Sequence, residues 1–181
     1  MNEHNEYSRL NRKTNAKKLK QDNYQTPDYA TNIILKYIPK DWVIWDPGCG
    51  ELKIISCARN MGYQAIGTDI CYKWEQDFFE IKPEFHWDII VTNPPFSLKT
   101  EFLERAASFG KPFCFLMNLS SLSTAKRQKI FQDNWLQLVL LDKRISFIVD
   151  GIQTKGAWFD TAWFTFGLNF PNDIIYEKVI K

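Results

Sequence analysis

Four successive residues, Asn93-Pro94-Pro95-Phe96, are of types that could act on a flat amine. A residue before proline is held extended, so Asn93 is fixed at the end of the segment that precedes it, with its amide directed outward. Pro95 has a fixed φ and no N–H, which leaves a stiff run whose carbonyls face outward as acceptors. An amine on an aromatic ring is a poor nucleophile because its lone pair is delocalised into the ring. If the Asn93 side-chain oxygen and the Pro94 carbonyl accept from both amine protons, the nitrogen is drawn toward tetrahedral geometry and the lone pair is freed. Phe96 can then stack on the ring. A generic turn would also use Asn and Pro, but two prolines followed by an aromatic are more than such a turn requires.

A second cluster, Asp46-Pro47-Gly48-Cys49-Gly50, reads as a tight turn after a strand, where glycines let backbone approach a ligand and free N–H groups open the next helix. Asp69 follows Gly50 by 19 residues, near the roughly 20-residue spacing at which a strand-end carboxylate reaches a ribose hydroxyl. Asp77-Phe78-Phe79 offers a carboxylate for an exocyclic amine and rings for a purine; it reads equally as a surface acid beside two core phenylalanines. Together these residues describe a nucleoside-sized pocket.

The elements that must position them follow from hydrophobic periodicity. Ala30, Ile33, Ile34, Tyr37 and Ile38 predict a helix ended by Pro39. Strands are expected at 42–45, 64–69, 88–92, 112–118, 136–141 and 162–167, and helices over 52–61, 100–108 and from about 125 to 134, with a turn at Asp150-Gly151. Strands alternating with helices predict a largely parallel sheet covered on both faces. In such sheets ligands bind at the carboxyl ends of the strands, where the strand order reverses, and both motifs lie at such ends.

Composition excludes other classes. The 181 residues are 45% hydrophobic and 15% aromatic, too apolar for a disordered chain. No window approaches the roughly 18 consecutive apolar residues of a membrane span, and the amino terminus is polar where a signal peptide is apolar, so a soluble, cytoplasmic protein is expected. Cys49, Cys57, Cys71 and Cys114 show no CxxC pair, and with His4 and His86 alone no metal set is expected. Cys49 reads as a small packing residue, His86 as a packed structural side chain, and the aromatics around 42–45 and 158–166 as core. Residues 1–22 carry a net charge of +3 while the remainder carries −1. The basic excess is thus confined to a flexible amino-terminal segment suited to phosphates, or to a merely solvated terminus.

In these motifs the chain resembles the class I S-adenosylmethionine-dependent methyltransferases, and among them the small phage-type enzymes acting on adenine N6 in DNA. The resemblance covers roughly residues 24–167. It implies a Rossmann-like α/β fold, with a mostly parallel seven-stranded sheet, helices on both faces and an antiparallel strand near the carboxyl terminus. Residues 23–181 would form one methyltransferase domain without a separate target-recognition domain. Asp46, Pro47, Gly48, Cys49 and Gly50 match the cofactor loop, Asp69 with Ile70 the ribose-binding acid, Asp77 and Phe78 the adenine-contact segment, and Asn93-Pro94-Pro95-Phe96 the catalytic tetrapeptide. Tyr24, Thr26 and Pro27, in Tyr24-Gln25-Thr26-Pro27, look like the motif that contacts the methionine part of the cofactor. Arg144-Ile145-Ser146-Phe147 and Lys155-Gly156-Ala157-Trp158 are similar to the phage-type group. Leu52 departs from the pattern, because many relatives have glycine there.

The resemblance implies S-adenosylmethionine as cofactor, no metal, and DNA as partner with RNA possible, in a bacterial or phage-infected cell. A homodimer or a partner subunit is compatible with it. Adenine would be methylated by direct displacement after being flipped from its stack, and Lys99, Lys126, Arg127 and Arg144 would contact nucleic acid. Two alternatives stay open: an amino-methyltransferase acting on RNA bases or a protein glutamine amide, and a non-catalytic module that binds nucleic acid.

Overall fold

The computed structural model describes residues 24–71 and 76–180. The basic segment expected at 1–22 lies outside the described residues.

Asp28–Leu35 forms helix α1, with an acid in its first turn where the helix dipole favours one. Strand β1, Val43–Asp46, is buried at every position, as a central strand covered on both faces must be. Helix α2 (Lys53–Asn60) and strand β2 (Gln64–Gly67) follow, then β3 (Ile89–Thr92), a short 3-10 turn at Phe96–Leu98, α3 (Lys99–Ala107) and β4 (Phe113–Asn118). A second 3-10 turn, Leu119–Leu122, leads to α4 (Ala125–Asp133) and β5 (Gln137–Leu141). A two-residue hairpin, β6 (Ile148–Val149) and β7 (Ile152–Gln153), precedes β8 (Thr161–Phe166) and β9 (Ile174–Glu177).

The main sheet has seven strands in the order β2-β1-β3-β4-β8-β5-β9. All neighbours pair in parallel except β8, which runs antiparallel to both β4 and β5. The expected mixed sheet with one reversed strand near the carboxyl terminus is therefore present. Two features were not read from the sequence. The edge strand β9 is half exposed, so its period is weak, and the β6–β7 pair is too short to show one.

Strand alternation sorts side chains to two faces. Ile44, Val91, Cys114, Leu116 and Trp163 pack with α1 and α2 on one face; Trp45, Ile90, Phe113, Phe115, Met117 and Phe164 pack with Phe102 and Leu103 of α3 and Phe131 of α4 on the other. Each fully buried aromatic removes enough apolar surface to contribute on the order of 1.5–3 kcal/mol. The connection from β2 to β3 has no helix or strand among its described residues; Phe78 and Trp87 bury against Trp45 instead, with ring centroids 5.5 and 5.1 Å away.

Two expectations about packing are corrected. His86 is 71% exposed, its ring beside Asp88 at 3.1 Å, because it points away from the sheet while its neighbour Trp87 points in. Trp158 is 84% exposed, since it precedes β8 in a loop and is not part of the strand's alternation.

Candidate active site

Strand order reverses at β1: the chain passes from β1 to β2 on one side and then to β3 on the other. The crevice so formed opens at the carboxyl ends of β1 and β3. A cavity of about 550 Å³ occupies it, within the roughly 300–1,000 Å³ of small-molecule sites. Tyr24, Thr26, Asp46, Pro47, Gly48, Cys49, Gly50, Asp69, Ile70, Asp77, Phe78, Asn93 and Pro95 all line it. Of the expected residues, Pro27 and Pro94 are buried and are not part of its lining, so the part expected of Pro94 at the amine is not carried by this geometry. Phe96 lies outside its lining and packs on Tyr24, with ring centroids 5.2 Å apart.

Asp46 ends β1 and is 1% exposed. Burial pushes its carboxyl up from 3.8 to about 7, against the lowering effects of the Thr92 hydroxyl and the Gly48 N–H, while the Asp69 charge adds a little to the rise. Asp69 is also raised by burial, although it accepts from the backbone N–H of Gly50 at 3.0 Å and of Cys71 at 2.7 Å. The Gly50–Asp69 bond ties the turn after β1 to the end of β2. Asp77 accepts from the Phe79 N–H at 3.0 Å. No ion pair among the described residues includes Asp46 or Asp69. Uncompensated buried carboxylates are costly, and a cationic ligand is the chemistry that relieves them.

The turn itself is built by close approach. Gly50 has φ +48°, and a Cβ there would stand 2.5 Å from the Gln25 amide nitrogen. A Cβ on Gly67 would stand 2.9 Å from those of Cys49 and from the Leu52 side chain, so β2 can press against the turn only with glycine at that position. Cys49 is buried in this contact and its thiol is pushed up by burial, as suits a packing residue. Leu52 takes the left-handed conformation, φ +63°, that glycine occupies without penalty. Its side chain packs into the core and lies outside the cavity lining, so the departure at this position leaves the cavity open.

Asn93 follows β3. Its amide nitrogen donates to the Tyr24 carbonyl at 2.7 Å, and its Oδ1 is buried with no hydrogen-bond partner among the described residues. The bond to Tyr24 fixes which way the amide faces, and Asn93 is among the residues that line the cavity. Gln25, beside Tyr24, pairs through its backbone with Ile148 of β6 and accepts from the Glu51 N–H at 3.2 Å through its side chain. One short segment thus joins the glycine turn, Asn93 and the β6–β7 hairpin. Asp150 and Gly151, both at positive φ, close that hairpin as a two-residue turn, and Asp150 reaches the cavity.

Several contributors have little signal in sequence. Lys53, Leu98, Phe102 and Asp150 line the cavity. Arg105 donates to the Phe78 carbonyl at 3.2 Å and the Ile81 carbonyl at 2.8 Å, holding the Asp77-Phe78 segment from α3. Their roles come from contacts between segments distant in the chain. The expected nucleic-acid contacts lie outside the cavity. Lys99 donates to Asn118 at 3.0 Å, Lys126 pairs with Glu104 at 2.9 Å, and Arg144 pairs with Asp160 at 2.9 Å. Arg127 donates to the Ser121 carbonyl at 2.6 Å and the Thr100 hydroxyl at 3.1 Å. Among the described residues no group of His, Cys, Asp or Glu is placed to hold a metal, and no helix is long and apolar enough to cross a membrane.

This arrangement matches solved structures. The chain superposes on one described as a class I S-adenosylmethionine-dependent methyltransferase from Listeria monocytogenes with a TM-score of 0.59. That match is at 13% identity and covers 86% of this chain and 65% of the other. A precorrin-6y C5,15-methyltransferase from Geobacter metallireducens gives a TM-score of 0.50 at 11% identity, covering 80% and 92%. The fold is that of class I methyltransferases. In sequence, the chain is 36% identical over 64 residues to Type II methyltransferase M.EcoRI of Escherichia coli, a match covering 34% of this chain and 20% of that protein. The chain thus spans about a fifth of the length of the curated relative it matches and about two thirds of the Listeria structure. No protein-family model matches.

The site's own features fit S-adenosylmethionine. The cavity has the volume of a nucleoside with an amino-acid arm, and among the described residues buried Asp46 and Asp69 have no ion pair and the buried Thr26 hydroxyl has no hydrogen-bond partner.

Proposed function

We propose that this protein transfers a methyl group from S-adenosylmethionine to the N6 amine of adenine in DNA, by direct displacement with the base flipped into the crevice. The observation that carries the reading is the Asn93 oxygen, buried and unpartnered among the described residues, in an amide of a cavity-lining residue whose other end is fixed by the Tyr24 carbonyl. An orphaned buried acceptor costs about 1–3 kcal/mol and is retained where a ligand donor satisfies it. The partial match to a type II methyltransferase supports the choice of DNA.

Asp46, Asp69, Asp77, Phe78 and the glycine turn would hold the cofactor, with Tyr24 and Thr26 at its methionine end. When bound, it supplies an electrophilic methyl on a sulfonium. The chain's part is orientation and lone-pair release. Asn93 Oδ1 would accept from an amine hydrogen, which draws the nitrogen out of conjugation; the amine then attacks as the methyl–sulfur bond breaks with its electron pair left on sulfur, and the surplus amine proton passes to solvent water. The Tyr24–Phe96 pair borders the base.

Incubation with methyl-labelled S-adenosylmethionine and separate DNA, RNA and protein acceptors tests the reading. Label is expected at adenine N6 in DNA; label confined to RNA or to a protein amide refutes the assigned substrate. Asn93→Ala is expected to keep cofactor binding by calorimetry while losing about 100- to 1,000-fold in turnover. Turnover near the wild-type rate in that variant refutes the role of the amide.

A further inference from the structure

Trp158 is one of two tryptophans that stand more than four-fifths in solvent among the described residues; the other, Trp135, is 85% exposed. Their positions differ. Trp135 lies just ahead of β5, at the amino end of the parallel strands, because Gln137 pairs with Thr165 near the end of antiparallel β8. Trp158 lies just ahead of β8, whose first residue pairs with Asn118 at the carboxyl end of β4. It therefore stands at the end of the sheet where the cavity opens.

A ladder of rings joins it to that cavity. Trp158 meets Phe159 edge-on at 5.1 Å, Phe159 meets Phe96 edge-on at 5.3 Å, and Phe96 meets Tyr24, which lines the cavity, at 5.2 Å. The loop beneath is pinned. The Thr154 N–H donates to the Phe147 carbonyl and the Ala157 N–H to the Ile145 carbonyl, both at 2.8 Å; the Leu119 N–H donates to the Asp160 carbonyl at 3.0 Å, and Arg144 holds the Asp160 carboxylate. An indole on so constrained a backbone is presented outward with little ordering entropy left to lose on binding. Three residues earlier in the same loop Lys155 is exposed, with no ion-pair partner among the described residues, and Ile152 of β7 is 73% exposed.

We propose, resting on the functional reading above, that Trp158 is a stacking platform for an unpaired nucleobase adjoining the target nucleotide. A base drawn into the crevice leaves its neighbours unstacked. An indole face continuous with the site's aromatic ladder can take one of them, and Lys155 suits the accompanying phosphate. The pairing tolerates sequence because every base has a π-face.

The test measures anisotropy of a fluorescent adenine-containing oligodeoxynucleotide on the full chain with S-adenosylhomocysteine present, for wild type, Trp158→Ala, Trp158→Leu, Trp158→Phe and Trp135→Ala. Stacking on an aromatic contributes about 1–3 kcal/mol per base, so the Ala and Leu variants at 158 are expected to bind about 5- to 150-fold more weakly. Phe should retain most of the affinity, Trp135→Ala should be unchanged, and S-adenosylhomocysteine binding by calorimetry should be equal in all five. Oligonucleotide binding by Trp158→Leu within about twofold of wild type, in a protein that methylates DNA, overturns the stacking role alone. Wild type that neither binds nor methylates DNA overturns the functional reading and this inference with it.

Discussion

Replacing Asp46 with asparagine is expected to stabilise the ligand-free protein above pH 7 and to weaken its hold on a cationic ligand. In the folded protein the Asp46 carboxyl is raised by burial from 3.8 to about 7. The folded state therefore binds a proton more tightly than the unfolded chain, and stability falls as pH rises between about 4 and 7. At about 1.4 kcal/mol per pH unit, the whole window corresponds to about 4 kcal/mol, an upper figure since water entry relaxes a buried charge. Urea unfolding of wild type and Asp46→Asn without ligand, from pH 4 to 8, measures the difference directly. The two should agree near pH 4, and Asp46→Asn should gain steadily to a few kcal/mol by pH 8. Glu177, lowered by its bonds to Tyr37 and Lys36 against the effect of burial, is common to both proteins and cancels in the comparison, whereas Asp69, also raised by burial, cancels except for its small repulsion with Asp46, which the measured difference includes. Calorimetry with S-adenosylmethionine should show the opposite ranking at pH 8, where the ionised carboxylate attracts the ligand's positive charge. Stability curves that run parallel from pH 4 to 8 refute the reasoning.

Other perturbations separate the supports of the site. Gly67→Ala places a Cβ 2.9 Å from those of Cys49 and from Leu52, so it should cost about 1–3 kcal/mol in denaturant midpoint and weaken cofactor binding through the displaced turn. Tyr63→Phe removes a buried hydroxyl that donates to the Leu35 and Ile38 carbonyls at 2.5 and 3.0 Å; it should cost about 1–2 kcal/mol in thermal or urea unfolding without changing cofactor affinity. Lys126→Ala breaks an exposed ion pair and should leave stability within about 0.5 kcal/mol, whereas Arg127→Ala strands the Ser121 carbonyl and the Thr100 hydroxyl and should cost about 1–2 kcal/mol. Equal urea midpoints for those last two variants refute the structural role assigned to Arg127.

Much of this protein was legible in local pattern. The buried runs Val43–Asp46 and Phe113–Asn118 and the amphipathic stretches between strands are local signals, and they carried the α/β alternation. Glycine permits a turn that other residues resist and the proline pair restricts its own backbone, so the two motif positions at strand ends could be read without any partner. Packing assignments that depended on a side chain's orientation were less secure. His86 and Trp158 have the composition of core neighbours and stand in solvent, because one residue of phase or one loop position decides which way a side chain faces.

What the linear order of residues determined here is a set of strands, helices and turns with chemically distinctive ends. What only tertiary structure decided is which groups meet: the Tyr24 carbonyl with the Asn93 amide across 69 positions, Arg105 with the Phe78 carbonyl across 27, Gly67 beneath Cys49. The same holds for the Asp46 carboxyl, whose protonation follows from the apolar walls and the Asp69 charge that close around it. Periodicity and turn chemistry are short-range properties of the backbone, while burial, orphaned acceptors and shifted protonation exist only once distant segments have packed and excluded water.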